Sequence, residues 1–409
     1  MRSLGKHQVG WLAVGTAVLS LLLLRTTSST GLIWYGPYLY AFWGVLVLLC
    51  TPKWKSMLAL AVVALCLRLG CLFAPLVWSD DLYRYLWEGN LVLEGENPFV
   101  TAPDQFSIVD GIREHVNHSH IPSVYPPLAQ WMFALMALVW YHPAMVQLVG
   151  ALADTGTVLA IGLWLQKKDS SFKGAWFYAL HPLPIIESAW SGHLEAVAVC
   201  CLAWGIVGYR RYGSWVWFVG GWLKLYPFVI LGFYRGWRWW QVLGMMVLSL
   251  GFMYPFLDVH MFNGLGTYVA HWSYNAPLYQ LLYFFSPSLA RKLCLAIAIM
   301  SMMALWWKWW RISLPIVEVA FYVGCIFIVC SPTVHPWYAL WLMVPVLMSG
   351  HQQRYWMFGL WMSLLPLSYV SLFTIDPTTG SWSPPLWPTV LSYLLPSLIW
   401  IYSKYTNRQ

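Results

Sequence analysis

Charged residues are scarce in this sequence, and their scarcity limits the kind of protein it can encode. Asp, Glu, Lys and Arg together make up 9% of the 409 residues, whereas a soluble domain carries about 25%. Charges this sparse cannot cover a water-facing surface, which excludes an ordinary soluble protein. Instead, 60% of the residues are hydrophobic, and many form runs near the roughly 20 residues that cross a bilayer. The composition predicts an all-α integral membrane protein, a multi-spanning helical bundle of about 11–13 transmembrane helices.

Other absences exclude further classes. None of the eight cysteines lies in the longest polar stretch, so the sequence indicates no disulfide framework and favours membrane-buried thiols. No basic, soluble domain accompanies the net charge of +8, which excludes nucleic acid as a partner. No second soluble domain and no fixed-period repeat is visible. We therefore divide one membrane domain by position, into N-terminal helices at 1–77, an outer loop at 78–125, and the remaining helices and loops at 126–409.

Basic residues mark the turns between apolar runs and predict the orientation of the chain. The first runs occupy about 10–25, 31–50 and 56–77, and Arg2 precedes them. The positive-inside rule then places the N-terminus in the cytoplasm. No small-residue cleavage site follows the first run, so it is predicted to be a retained anchor. Three crossings bring the next polar stretch to the outer face, and pairing the later runs keeps the C-terminus cytoplasmic.

The same rule predicts which later turns face outside. These turns are 187–193, 224–227, 257–275, 332–337 and 375–385. One conflict arises, because two apolar runs at 127–141 and 144–166 join the outer loop to a basic turn. Two crossings would place that basic turn outside. The run at 127–141 is therefore predicted to be re-entrant or to lie along the membrane surface.

The polar stretch at 78–125 is the centre of chemical interest. It holds eight of the fifteen acidic residues, and a loop this long is usually functional. Its mixed apolar and polar texture predicts short surface helices. Asp80 and Asp81 directly follow an apolar run, where a carboxylate could act as a general base toward an acceptor hydroxyl. A helix cap is an equally good interpretation, because Ser79 and Asp80 are both good N-cap residues.

A metal site is a further interpretation of the same loop. Two neighbouring carboxylates could hold a divalent cation. The loop also contains His115, His118 and His120, but their spacing matches no standard zinc pattern. We assign no metal ligands, and a divalent cation is the one cofactor left open.

Ionisable residues recur at the other predicted outward turns. Glu187, His193 and Glu195 share one turn, Lys224 lies in the next, and His335 in another. Charges at membrane depth are costly, so such residues are functional candidates. A Lys and a His facing one cavity would suit a phosphate. Alternatively, Lys224 could snorkel to the interface, His335 could end a helix before proline, and Glu187 could cap or pair locally.

Taken together, these motifs resemble a known family. The stretch SDDLYRYLWEG at 79–89, followed by GENPF at 95–99, is similar to the first outer loop of bacterial polyprenyl-phosphate-mannose-dependent mannosyltransferases of the GT-C superfamily. Four more stretches fit that family in the same order: YPPLAQ at 125–130, ESAWSGHLE at 187–195, KLYP at 224–227 and TVHPWY at 333–338. The resemblance covers most of the chain from about 78 to 340. It includes no motif in the first two or last two predicted spans.

The resemblance implies a GT-C-like membrane glycosyltransferase with its active site on the outer face. It implies a polyprenyl-phosphate-linked hexose donor with mannose as the sugar, a glycan or lipid acceptor, and inversion of the anomeric centre. The essential acid maps to Asp81, with Asp80 beside it as helper or cap. By position, the residues that would contact the donor phosphate or sugar are Arg84, Tyr125, Glu187, His193, Lys224 and His335.

Two other functions use the same residues differently. A transporter or flippase of a lipid-linked saccharide would bind phosphate with Lys and His but would need no base. Transporter folds often contain internal repeats, which we do not find here. A non-catalytic partner subunit of a glycosyltransferase is expected to lack the acidic pair.

Overall fold

The computed structural model describes residues 6–106, 110–374 and 385–406, and these form helices joined by turns. No strand occurs in these three ranges, so the all-α prediction is confirmed there. The α-helices are α1 (Lys6–Thr26), α2 (Ser29–Cys50), α3 (Met57–Leu69), α4 (Asp81–Leu93), α5 (Pro127–Val139), α6 (Pro143–Lys167), α7 (Lys173–Leu180), α8 (Pro182–Pro184), α9 (Glu195–Val207), α10 (Gly213–Leu223), α11 (Tyr226–Leu231), α12 (Trp239–Met253), α13 (Asn263–His271), α14 (Pro277–Phe285), α15 (Ala290–Ile312), α16 (Ile316–Cys330), α17 (Ala339–Ser349), α18 (Gln352–Leu364) and α19 (Trp387–Thr406). A π-helical turn (Ile185–Trp190) follows α8, and 3₁₀ turns include Pro336–Tyr338 and Leu365–Thr374.

Four of the described helices are long and apolar enough to cross a membrane. They are Gln8–Thr26, Ser29–Cys50, Pro143–Lys167 and Ala290–Ile312. Other apolar helices, such as α3, α9 and α16, have 13 to 15 residues, or about 20 Å at 1.5 Å per residue. The architecture is consistent with an integral membrane protein, and the number of 11–13 spans stays a prediction.

The ends of the long helices follow from local chemistry. The Ser28 hydroxyl accepts a hydrogen bond from the Gly31 N–H at the start of α2, a standard N-cap. Helix α6 begins with proline at its first position, where a missing N–H costs nothing. Helix α15 ends at Ser313, which adopts a left-handed conformation with φ of 50°. These signals separate the apolar runs into discrete helices.

One helix of the polar stretch departs from what its texture predicts, whereas the helix that follows the stretch agrees with its prediction. Short helical segments are present, but α4 buries most of its residues and is not an exposed surface helix. Its Gly89 lies so close to α5 that a Cβ atom there would come within 2.2 Å of the Phe133 carbonyl oxygen. Helix α5 has 13 residues, about 20 Å long, which is shorter than the roughly 30 Å hydrocarbon core. That length is consistent with the re-entrant prediction for 127–141.

A fully buried ion pair joins three helices in the bundle. Arg68 of α3 donates from Nε to Asp154 Oδ2 of α6 at 2.6 Å, and both side chains have no exposure. Tyr178 of α7 donates to the other oxygen of Asp154 at 2.7 Å. Further Arg68 donors reach backbone carbonyls of Ala64 and Ala179. Every charge is therefore partnered, as burial requires.

The two ends of the bundle have different chemistry. Helices α9 and α17 begin at the end that carries Glu195 and Tyr338, which we call the acidic end, and they run toward the opposite end. Helices α10 and α16 run in reverse and finish just before Lys224 and Ser331. The predicted outward turns at 187–193, 224–227 and 332–337 therefore meet at one end. Of the turn predicted at 375–385, residues 375–384 lie outside the described ranges. All eight cysteines are described, and each is a free thiol.

The buried ion pair leads to a stability prediction. Replacing Asp154 with leucine should destabilise the protein by about 3–5 kcal/mol, because it leaves a buried guanidinium unpaired. The double substitution Arg68→Met/Asp154→Leu should recover most of that loss. Thermal unfolding of the purified protein in detergent measures both effects. A double variant as unstable as the single one would contradict this account of the pair.

Candidate active site

Three predicted outward turns are joined by a stack of four aromatic rings. The His193 ring lies 3.8 Å from the Trp337 ring, centroid to centroid, and Trp337 lies 4.2 Å from His335. Tyr274 continues the stack at 4.8 Å from His335. The backbone supports the stack, since Tyr274 N–H donates to the Pro332 carbonyl and Val334 N–H donates to the Tyr274 carbonyl. Residues far apart in sequence thus form one wall of a site.

The acidic motif meets this wall through Ser79. His193 Nε2 and Ser79 Oγ are 2.9 Å apart, so the turn at 187–193 contacts the residue that precedes the acidic pair. Gly192 adopts φ of +69°, in the left-handed region that favours glycine. A Cβ there would lie 3.2 Å from Leu82 of α4. The local backbone is therefore fitted closely against the acidic motif.

The two aspartates have different surroundings. Asp80 occupies the N-cap position of α4, as the cap interpretation predicts, but its side chain makes no capping hydrogen bond. Its Oδ1 atom instead accepts from the Asn117 amide. Burial, together with the neighbouring Asp81 charge, raises the pKa of Asp80 to about 6. The partly exposed Asp81 carboxylate has no hydrogen-bond partner among the residues that the structure describes, which leaves it available to a ligand.

Glu187 contacts His193 and holds its ring in position. Its fully buried carboxylate accepts hydrogen bonds from Tyr40 at 3.0 Å and from Tyr369 at 2.9 Å. His193 Nδ1 lies 3.3 Å from Glu187 Oε2 and 2.9 Å from the Glu187 carbonyl oxygen. Glu187 is thus occupied by these partners, and the structure favours a positioning role over the donor contact that the resemblance implies.

The two histidines of the ring stack differ in their tendency to carry a positive charge. Burial alone would lower the pKa of His193, but Glu187, assisted by Asp81 and Glu195, raises it above its ordinary value. Burial, with the nearby charges of His193 and Lys224, lowers the pKa of His335 to about 3. His193 is therefore the better cation and His335 a neutral ring, so the two would interact differently with a phosphate.

Lys224 brings a second cation to the site and is paired with Glu195, the first residue of α9. Its Nζ atom is 2.9 Å from Glu195 Oε1 and 5.1 Å from the centre of the Tyr125 ring. The Lys224 side chain is 24% exposed, whereas that of Glu195 is 1% exposed. Glu195 Oε2 is buried without a hydrogen-bond partner in the described part of the chain. Such an oxygen is costly unless a ligand donor reaches it.

Arg84 anchors the loop that follows the acidic motif. Its NH1 group donates to Glu88 Oε1 and to the Ile121 carbonyl, and its NH2 group donates to the carbonyls of Asn117 and His118. One of these four bonds is to Asn117, whose side-chain amide donates to Asp80. The arrangement favours a structural role for Arg84 over the phosphate contact that the resemblance implies.

The structure gives site contacts to three residues outside the predicted donor-binding set. Trp337 stands at the centre of the ring stack, and Ser79 joins it to the acidic pair. Glu195 becomes a site residue through its contact with Lys224. The sequence already offered Glu195 as a functional candidate, because it is an ionisable residue beside a predicted outward turn. The described residues contain no group of three or more His, Cys, Asp or Glu side chains arranged to hold a metal ion, and the divalent cation that the acidic pair could hold stays an open alternative.

One comparison with known proteins gives a match. Residues 285–403 match the family model described as the MptB C-terminal domain, a family of GT-C mannosyltransferases. No curated protein and no solved structure matches the chain. The matched segment contains His335 and Trp337 but not the acidic pair. The match supports a membrane glycosyltransferase of the GT-C mannosyltransferase type, in agreement with the resemblance of the motifs.

The surroundings of Asp80 predict its titration. Its carboxyl should lose its proton near pH 6, because its raised pKa keeps it protonated below that value. Infrared titration of protein carrying ¹³C-labelled aspartate should show a protonated-carboxyl band that disappears as pH rises through 6. The band should be absent in Asp80→Asn and unchanged in Asp258→Asn, which removes an exposed carboxylate elsewhere. A band that persists in Asp80→Asn would assign the titration to another residue.

Proposed function

We propose that this protein is a membrane glycosyltransferase that transfers a hexose, with mannose as the sugar, from a polyprenyl-phosphate donor to a glycan or lipid acceptor. The observation that carries this proposal is the Asp81 carboxylate, which has no hydrogen-bond partner among the described residues and lies beside a site that also contains the cations His193 and Lys224. An acid and phosphate-binding cations within one site suit a reaction that removes a proton and releases a phosphate. The family-model match at 285–403 supports the glycosyltransferase class.

The proposed reaction is a single displacement at the anomeric carbon. Asp81 takes the proton of the acceptor hydroxyl as that oxygen forms a bond to C1 of the sugar. The bond between C1 and the phosphate oxygen breaks on the opposite face, and its electron pair leaves with the phosphate. Attack opposite the leaving group inverts the configuration at C1. Asp81 ends protonated and returns its proton to solvent.

Cations at the site would stabilise the departing phosphate. Lys224 Nζ has one bond to Glu195, and its remaining N–H donors can reach a ligand because an ammonium carries three. The raised pKa of His193 favours the imidazolium, which adds a second positive charge. Developing negative charge in a partly dry site gains strongly from such fixed donors. His335 and Tyr125 complete the walls through ring contacts.

The remaining residues would position these groups. Glu187 orients His193 through two contacts, and Arg84 fixes the loop that carries Asn117. Glu195 Oε2 is suited to accept a hydrogen bond from a sugar or acceptor hydroxyl. We propose that the acidic end faces outside and that both termini are cytoplasmic, which follows from the distribution of basic turns.

A transfer assay tests this function directly. With polyprenyl-phosphate-mannose as donor, Asp81→Asn should reduce the transfer rate by about 10²–10⁴-fold, the usual range for losing a general base. Donor binding should change little, because the base contacts the acceptor. Asp104→Asn, which removes an exposed carboxylate from the same polar stretch, serves as the matched control and should retain wild-type transfer.

Two outcomes would contradict the proposal. Undiminished transfer by Asp81→Asn would remove that residue from the role of base. Wild-type protein that moves the lipid-linked sugar across vesicle membranes without transferring it would instead identify a flippase, the alternative that needs no base.

A further inference from the structure

A second cavity lies at the end of the bundle away from the acidic motif. Its volume is about 1390 Å³, and turns that follow α6, α9, α11, α15 and α17 line it. Helix α16 begins at this cavity with Ile316 and ends just before the ring-stack motif. Its 15 residues separate the two regions by about 22 Å. The cavity is therefore distinct from the candidate active site.

The walls of this cavity carry mostly positive charge. Five cations line it: Lys168, Arg210, Arg211, Arg235 and Arg238. None of these five forms an ion pair with an acidic residue in the described ranges. Five like charges around one space repel each other unless an anion enters.

The single acidic side chain in the lining does not offset this charge. Glu318 is bound by both terminal nitrogens of Arg354, at 2.8 and 2.9 Å. This two-point contact commits the carboxylate to Arg354, which does not line the cavity, and His351 of the lining lies 3.5 Å from Glu318 Oε1. The five lining cations therefore stay without an acidic counterpart nearby.

Part of the cavity is rigidly built. Arg235 donates to Ser313 Oγ at 2.8 Å and to the Trp309 carbonyl at 2.6 Å, and its guanidinium lies 4.2 Å from the Trp309 ring centre. Arg210 and Arg211, on the turn after α9, are exposed. Arg235 is thus held in a fixed position, while the exposed side chains of Arg210 and Arg211 can move to contact a ligand.

Aromatic side chains indicate the kind of anion that would enter. Trp164, Trp215 and Trp240 line the cavity beside the cations, and the neighbouring Trp239 is 78% exposed. Tryptophan next to basic side chains is typical of the headgroup depth of a membrane. The geometry points to a binding site for the phosphate headgroup of an anionic membrane lipid, in the leaflet opposite the acidic end. The cations contact the phosphate, and the tryptophan rings contact the glycerol and upper acyl chains.

Lipid titration with paired variants tests this site. Native mass spectrometry of the detergent-purified full chain would measure binding of phosphatidylglycerol, phosphatidylcholine and inorganic phosphate. Arg210→Gln/Arg211→Gln should weaken phosphatidylglycerol binding roughly tenfold, since each basic residue near an anionic lipid surface contributes measurably. Lys53→Gln/Lys167→Gln removes the same charge from exposed positions outside the cavity and should leave binding unchanged. Arg238→Gln, on a different turn, should weaken it independently.

Saturable phosphatidylglycerol binding that falls only in the cavity variants would support the site. Equal losses in the cavity and control variants would overturn it, because they would indicate a diffuse basic face. Equal affinity for phosphatidylcholine would overturn the role of net lipid charge. Inorganic phosphate binding with the same affinity and the same sensitivity to the variants would overturn the assignment to a lipid.

Discussion

The buried Glu187 carboxylate is the constraint on which the site depends. A carboxylate without exposure is stable only when hydrogen-bond donors replace water, and its partners here come from distant parts of the chain. Tyr40 belongs to α2, Tyr369 to the 3₁₀ turn that follows α18, and His193 to the turn after the π-helical segment. Satisfying one charge therefore fixes the N-terminal helices, the C-terminal region and a site residue relative to each other. Since His193 also contacts Ser79, this constraint extends to the acidic motif.

The helices that carry the site also separate two kinds of charge. The acidic end combines Asp80, Asp81 and Glu195 with two cations, whereas the far cavity has five cations and one neutralised acid. A bundle with unpaired basic residues gathered at one end fits the positive-inside rule, by which basic residues favour the cytoplasmic side of a membrane. The same distribution suits an anionic donor that needs both a base and phosphate-binding groups at one end. The charges that stabilise the fold are therefore different from those proposed for the chemistry. Arg68 and Asp154 form their ion pair in the interior of the bundle.

The sequence predicted those features that local residue patterns determine. It did not predict features that depend on packing between residues far apart in the chain. Apolar runs predicted the helical class, and the turns with ionisable residues do meet at one end, because consecutive helices reverse direction. The sequence could not predict the number of membrane spans, because helices such as α5 and α9 are too short for length alone to identify a crossing. The role of Arg84 also did not follow, because the carbonyls it binds lie more than 30 positions away. The sequence left base and cap equally open for the acidic pair, and the structure places Asp80 at the N-cap position with its side chain bound to Asn117 in place of a capping bond.

The C-terminal helix contributes to the site through a strained residue. Asn275 has φ of 48°, in the left-handed region that asparagine tolerates better than most residues. Thr389 of α19 donates to its side-chain oxygen at 2.8 Å, and Tyr393 donates to its carbonyl at 3.2 Å. These bonds hold the preceding residue, Tyr274, against His335 in the ring stack. The segment that matches the family model therefore supplies His335 and Trp337 and also fixes the partner ring from outside that segment. The acidic motif and the matched segment therefore both contribute residues to the candidate site.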